Sequence, residues 1–210
     1  MPRIGVRALT LRATLAKMRA RKRNRTLWWS TLLPAITIPW GIPRHGRRVR
    51  MAIKEGDKLP EVSMFTMGAE GRPTKVTTTE LFAGKKVVLF AVPGAYTPTC
   101  SMAHLPGYVT YADKIKAKGV DSIICISVND AFVMDSWGKD KNAEELIMVG
   151  DGNGEFTKAI GLEMDGSGFG LGSRSQRYAM IVNDGVVTKL NVEAGGKFEV
   201  SKAETILEAL

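Results

Sequence analysis

Very little in this chain can bind a metal or cross-link a fold. Its 210 residues include only two cysteines and two histidines. Cys100 and Cys125, 25 positions apart, are too few for a disulfide scaffold. They fit a cytosol-like compartment in which thiols react rather than staple. There is no Cys-x-x-Cys, and His45 and His104 form no ligand set, so neither a metal nor a cofactor is expected. No apolar run is long enough to span a bilayer, since residues 27–42 are too few and are broken by Pro34 and Pro39. Internal repeats are absent as well.

Acid is missing from one end. Residues 1–50 carry 13 Lys or Arg and no Asp or Glu. The chain holds 30 basic and 21 acidic side chains, which leaves 17 against 21 in the other 160 residues, a net of −4. The overall charge of +9 therefore belongs to the leader, and the body offers no basic surplus for nucleic acid. Ile4, Ala8, Leu11, Leu15 and Met18 share one helical face flanked by Arg3, Arg12, Lys17 and Arg19, with Arg7 intruding. Such an acid-free amphipathic segment reads as an organellar presequence, although Ser30 is its only serine. The other reading is a start at Met51. The expected division is a 1–50 extension and a 51–210 domain, mitochondrial in the first case and cytoplasmic in the second.

What the body does have is a cysteine at a strand-to-helix corner. Residues 86–92 are apolar after Lys86, and four of the seven are Val or Phe, as in a strand covered on both faces. Pro93 and Gly94 then punctuate the chain, and helical spacing runs from Ser101 to Lys118, ending at Gly119. Cys100 falls in the first turn, where unpaired N–H groups and the positive dipole end favour a thiolate, the nucleophilic form. Position alone also allows a small buried hydrophobe.

The string Pro93-Gly94-Ala95-Tyr96-Thr97-Pro98-Thr99-Cys100 resembles the active-site loop of peroxiredoxins, thiol peroxidases of the thioredoxin superfamily. Its continuation from Ser101 to Tyr108 is similar to the type II (atypical two-Cys) branch. So are the stretches 127–133 and 172–178, and the likeness covers residues 52–210. The resemblance implies an α/β, thioredoxin-like three-layer fold with a mixed central sheet and helices on both faces.

The pattern of the body agrees with alternating elements. Strands are expected at 62–67, 121–128 and 146–149, the last two buried, with short helices at 79–83 and 156–160 closed by Gly84 and Gly161. Asp130 is a cap for a helix carrying Phe132, Val133 and Trp137. Segments 177–182 and 186–192 flank Asn183-Asp184-Gly185 as a hairpin, and Ser201-Lys202-Ala203-Glu204 reads as a capping box opening a final helix. The glycine-rich segment 166–172 has no G-x-G-x-x-G register and reads as a flexible loop. Residues 151–155 lack the sixth-position glycine of a calcium loop, where Phe156 stands.

The resemblance also implies roles. Cys100 is the peroxidatic nucleophile, Thr97 hydrogen-bonds the peroxide, and Arg177 supplies a fixed positive charge for thiolate and developing oxyanion. Pro93 walls the pocket. Arg174 is the neighbour that alignment disfavours. Cys125, between isoleucines, is either the resolving thiol or core packing; the first needs local unwinding around Cys100. His104 is favoured as a packing and hydrogen-bonding group over a general base. The expected activity is reduction of hydrogen peroxide and organic hydroperoxides through a sulfenic acid, with glutaredoxin/glutathione or thioredoxin as reductant. A homodimer is expected, with apolar residues near Pro98, Phe132 and Trp137 as its contact. The alternative is a non-enzymatic redox sensor passing oxidation from Cys100 to a partner.

Overall fold

The computed structural model describes residues 51–210, so the expectations for the leader lie outside the described residues. In chain order the elements are β1 (Ser63–Met67), β2 (Pro73–Thr77), α1 (Thr78–Phe82) and β3 (Lys86–Ala91). A π-helical turn (Cys100–His104) follows and runs into α2 (Leu105–Lys116), β4 (Ser122–Ser127), α3 (Ala131–Asp140) and β5 (Ile147–Gly150). Then come α4 (Glu155–Ala159), β6 (Glu163–Asp165), β7 (Ser173–Ser175), β8 (Tyr178–Asn183), β9 (Val186–Val192) and α5 (Ala203–Ala209).

Seven strands form one sheet in the order β2-β1-β5-β4-β3-β8-β9. β3, β4 and β5 run parallel in the middle, and β1 and β8 flank them antiparallel. The centre is apolar on both faces because both are covered. Along β3, Val88 and Phe90 point into one core with Leu105, Tyr108, Ile115, Trp137 and Ile206. Val87, Leu89 and Ala91 point into the other with Phe82, Phe156, Ile160 and Met180. Hence α2, α3 and α5 cover one face, α1 and α4 the other, and the expected three layers are present. None of the described helices is long and apolar enough to cross a membrane.

Several local expectations meet their physical cause. Asp130 accepts from the Val133 N–H at 2.9 Å and starts α3. Asp184 and Gly185, with φ of 47° and 75°, make the two-residue turn between β8 and β9. Other expectations need correction. The single helix from Ser101 is instead a π turn followed by α2, and apolar spacing does not separate the two. The 201–204 capping box does not form: α5 starts one residue later, with Lys202 as its N-cap, and the Ser201 N–H that the box would give to Glu204 goes to the Glu193 carboxylate. A capping box stands instead at Thr77 and Glu80. β5 is buried only toward its end, with Ile147 still 36% exposed. Segment 166–172 is the loop linking β6 to β7, and it includes a 3-10 turn at Ser167–Phe169. Trp137 is fully buried, its indole N–H donating to the Ser101 hydroxyl at 3.0 Å, so it is no part of an exposed contact.

Candidate active site

Pro93 and Gly94 end β3 and turn the chain back toward the sheet. The Ala95 N–H donates to Asn129 Oδ1 at 3.0 Å. That oxygen also accepts from the Ser127 hydroxyl at 2.8 Å and from Arg174 Nη1 at 3.3 Å. Arg174 continues to the Val128 carbonyl at 3.0 Å and the Leu171 carbonyl at 2.8 Å. Its role is therefore to fasten the Cys100 loop to the end of β4. Tyr96 adopts a left-handed φ of 61°, uncommon for a bulky residue. Its hydroxyl is hydrogen-bonded to that of Ser136 at 3.0 Å, which holds the turn against α3.

Within that loop, the Thr97 hydroxyl donates to the Gly94 carbonyl at 2.8 Å, and the Thr97 carbonyl accepts from the Ser101 N–H at 3.0 Å. The donated proton leaves the hydroxyl's lone pairs as acceptors. Cys100 opens the π turn with no exposed surface. Departures from α geometry of this kind often sit at functional sites.

Arg177, just before β8, reaches the thiol: Nη2 donates to Cys100 Sγ at 3.4 Å. Its Nη1 lies 3.0 Å from His104 Nδ1. Guanidinium only donates, so Nδ1 is the acceptor and the imidazole proton sits on Nε2, which donates to the Ser201 carbonyl at 3.0 Å. Burial, and then the Arg177 charge, push the His104 pKa down to about 3, so this imidazole is neutral at physiological pH. It orients Arg177 rather than titrating. Phe198 lies beside both groups, its ring 5.6 Å from the guanidinium carbon and 4.9 Å from the His104 ring, which it meets at a tilt.

The turn and the strand bring together Cys100 and Arg177; Pro93 lines a cavity with Arg177, and Thr97 is held in the loop by Gly94 and Ser101. A cavity of about 250 Å³ lies along Pro93, Arg177, Gln176, Met164 and Glu193. Cys125 lies apart on β4, paired with Phe90, and is fully buried. Both cysteines are free thiols. Burial, and then the neighbouring Cys100, raise the Cys125 thiol well above its ordinary value. Among the described residues no cluster of His, Cys, Asp and Glu could hold a metal ion. Sequence reasoning did not find Asn129 or Glu193; Asn129 lay inside a segment already noticed, but nothing local marked its role as a hub.

A buried cysteine under a guanidinium, on the rim of a mixed sheet layered by helices, defines a thiol-based redox enzyme. The redoxin family model matches residues 54–207. The chain is 51% identical to chloroplastic peroxiredoxin-2E of Arabidopsis thaliana, over 77% of its own length and 71% of the relative's. It is 48% identical to peroxiredoxin-2C of the same plant, over 75% and 98%. A solved structure, reduced Prx3 of Vibrio vulnificus in complex with H₂O₂, superposes with a TM-score of 0.72 at 62% identity, covering 75% of this chain and 98% of that one. The chain therefore belongs to the peroxiredoxin family, in its type II branch, and has the thioredoxin-like fold expected of it. It is a thiol peroxidase, which decides against the non-enzymatic sensor.

Proposed function

We propose that Cys100 is the peroxidatic nucleophile and that it cycles through a sulfenic acid. The observation that carries this reading is the 3.4 Å contact from Arg177 Nη2 to Cys100 Sγ. The thiolate attacks one peroxide oxygen and breaks the O–O bond; that oxygen stays on sulfur, and the other leaves as alkoxide or hydroxide and takes up a proton. Arg177 stabilises the negative charge as it moves from sulfur to the leaving oxygen. Thr97 accepts a hydrogen bond from the peroxide, because its own proton is engaged by Gly94. Pro93 limits water. Peroxide consumption assayed with glutathione and glutaredoxin, and separately with thioredoxin, tests the cycle and identifies the reductant.

The sulfenic acid condenses with an external thiol, expelling water, and a second thiol then releases Cys100. Burial supports this route over Cys125, which stays protonated inside β4 and reaches Cys100 only if the π turn unwinds. One equivalent of peroxide in the presence of glutathione is expected to leave Cys100 glutathionylated and Cys125 free on peptide mapping. Cys125→Ser is expected to keep full turnover with glutaredoxin. A Cys100–Cys125 disulfide within one chain would overturn this route and make thioredoxin the reductant.

Residues 1–50 form an organellar presequence, mitochondrial in destination, ahead of a catalytic domain at 51–210. Thirteen basic residues without an acid in residues 1–50 support this. A chain beginning at Met51 is expected to fold and reduce peroxide like the full chain. Loss of folding would contradict the division. Intact mass of the native protein separates a cleaved leader from a start at Met51. Tyr96, Met102 and Phe132 are exposed, at 52%, 79% and 56%, and with Pro98 they offer an apolar face for a homodimer. A sedimentation mass of two chains is the expected result.

A further inference from the structure

Arg177 can aim at Cys100 only while its other contacts hold still, and these converge on one carboxylate. The Glu193 N–H donates to the Arg177 carbonyl at 2.9 Å, so the two residues face each other at the end of the β8–β9 hairpin. The Glu193 side chain turns inward, 8% exposed. Its Oε1 accepts from the N–H groups of Glu199, Val200 and Ser201 at 2.7, 2.8 and 2.8 Å. A fourth bond comes from the Ser201 hydroxyl at 2.9 Å. Three successive backbone donors and a hydroxyl on one oxygen make a strong anion site, closed by the protein's own carboxylate. Burial alone would raise this carboxyl; the bonds from Ser201, Glu199 and Val200 override it and leave the pKa below its ordinary value.

The ring so closed is the segment 194–201, folded back as a strap. It carries two groups to the site. The Ser201 carbonyl accepts from His104 Nε2 at 3.0 Å and from the Tyr108 hydroxyl at 2.9 Å, which fixes the imidazole tautomer whose Nδ1 receives Arg177. The Phe198 ring rests against the guanidinium and the imidazole. We propose that Glu193 is a positioning residue of the peroxide step: its carboxylate pins the strap, and the strap aims Arg177 Nη2 at Cys100. This rests on the reading of Arg177 and Cys100 given above. Neither Glu193 nor residues 194–201 hydrogen-bond the reacting sulfur, whose partner is Arg177, so the effect passes through His104 and Arg177.

A double-mutant cycle tests it, with the rate of Cys100 oxidation by hydrogen peroxide in a single turnover as readout. Glu193→Ala is expected to slow that rate about tenfold, the cost of loosening one charge-assisted contact. Glu193→Gln, which keeps an acceptor oxygen, is expected to recover most of it. In an Arg177→Ala background, Glu193→Ala is expected to cost almost nothing more, because the group it positions is gone. Equal losses in both backgrounds would mean a merely structural role and overturn the proposal. An unchanged rate in Glu193→Ala, with Arg177→Ala slow, would overturn it while leaving the reading of the site intact. An unchanged rate in Arg177→Ala would sink that reading itself. If Glu193→Ala does not fold, Glu193→Asp, one methylene shorter, runs the same cycle with the same outcomes.

Discussion

Replacing Cys100 by serine is expected to leave no measurable peroxide reduction with any thiol. A serine hydroxyl at this corner stays protonated at neutral pH and cannot take an oxygen from the O–O bond, so neither the helix start nor Arg177 can rescue it. The protein should still fold, since the oxygen is smaller than the sulfur it replaces. Arg177→Ala is expected to behave differently. The thiol remains and turnover persists, but the peroxide step slows by roughly a hundredfold, the usual cost of removing one preorganised donor from a developing oxyanion. Rapid-mixing measurement of the first oxidation separates this from slower regeneration. Undiminished turnover in Cys100→Ser would end the assignment of the nucleophile.

The nucleophile was legible because its signals are local. A buried strand, a Pro-Gly stop and a cysteine in a first helical turn fall within fifteen consecutive residues, 86–100. The layered fold was legible for the same reason, in apolar runs such as Ile123-Ile124-Cys125-Ile126 covered on both faces. What surrounds Cys100 comes from far along the chain. Arg177 is 77 positions from the thiol, and His104 is 97 from the Ser201 carbonyl that fixes its tautomer. No periodicity reports such meetings; Arg177 was reached by resemblance alone. The unformed capping box shows the opposite error. Ser201-Lys202-Ala203-Glu204 has the right spacing, yet the helix is capped at Lys202, and Glu193, eight residues upstream, takes the Ser201 N–H that the box would need. β2 escaped notice because Pro73-Thr74-Lys75-Val76-Thr77 is an exposed edge strand, where a leading proline and polar residues are tolerated.

The neutral state of His104 leads to the second large effect, on stability in acid. In the unfolded chain this imidazole takes a proton near 6.5; in the folded protein it does so only near 3, because burial and then the Arg177 charge oppose it. Between those values the unfolded state holds the extra proton, so the stability contribution is whole above 6.5, declines as pH falls, and is exhausted near 3. The slope is about 1.4 kcal/mol per pH unit for one proton, and the full loss approaches roughly 5 kcal/mol, a large share of an ordinary domain's stability. Carboxylates held low, Glu193 among them, add their own loss, but below the ordinary carboxylate range. The interval from pH 6.5 to 5 therefore isolates the imidazole. Urea unfolding across that interval is expected to give the one-proton slope in the native chain. His104→Asn, which keeps a donor and an acceptor but no titrating ring, is expected to be less stable at pH 7 and nearly flat over the same interval. A slope that survives unchanged in His104→Asn would mean that another group takes up the proton, and that the buried imidazole beside Arg177 is not what makes this fold acid-sensitive.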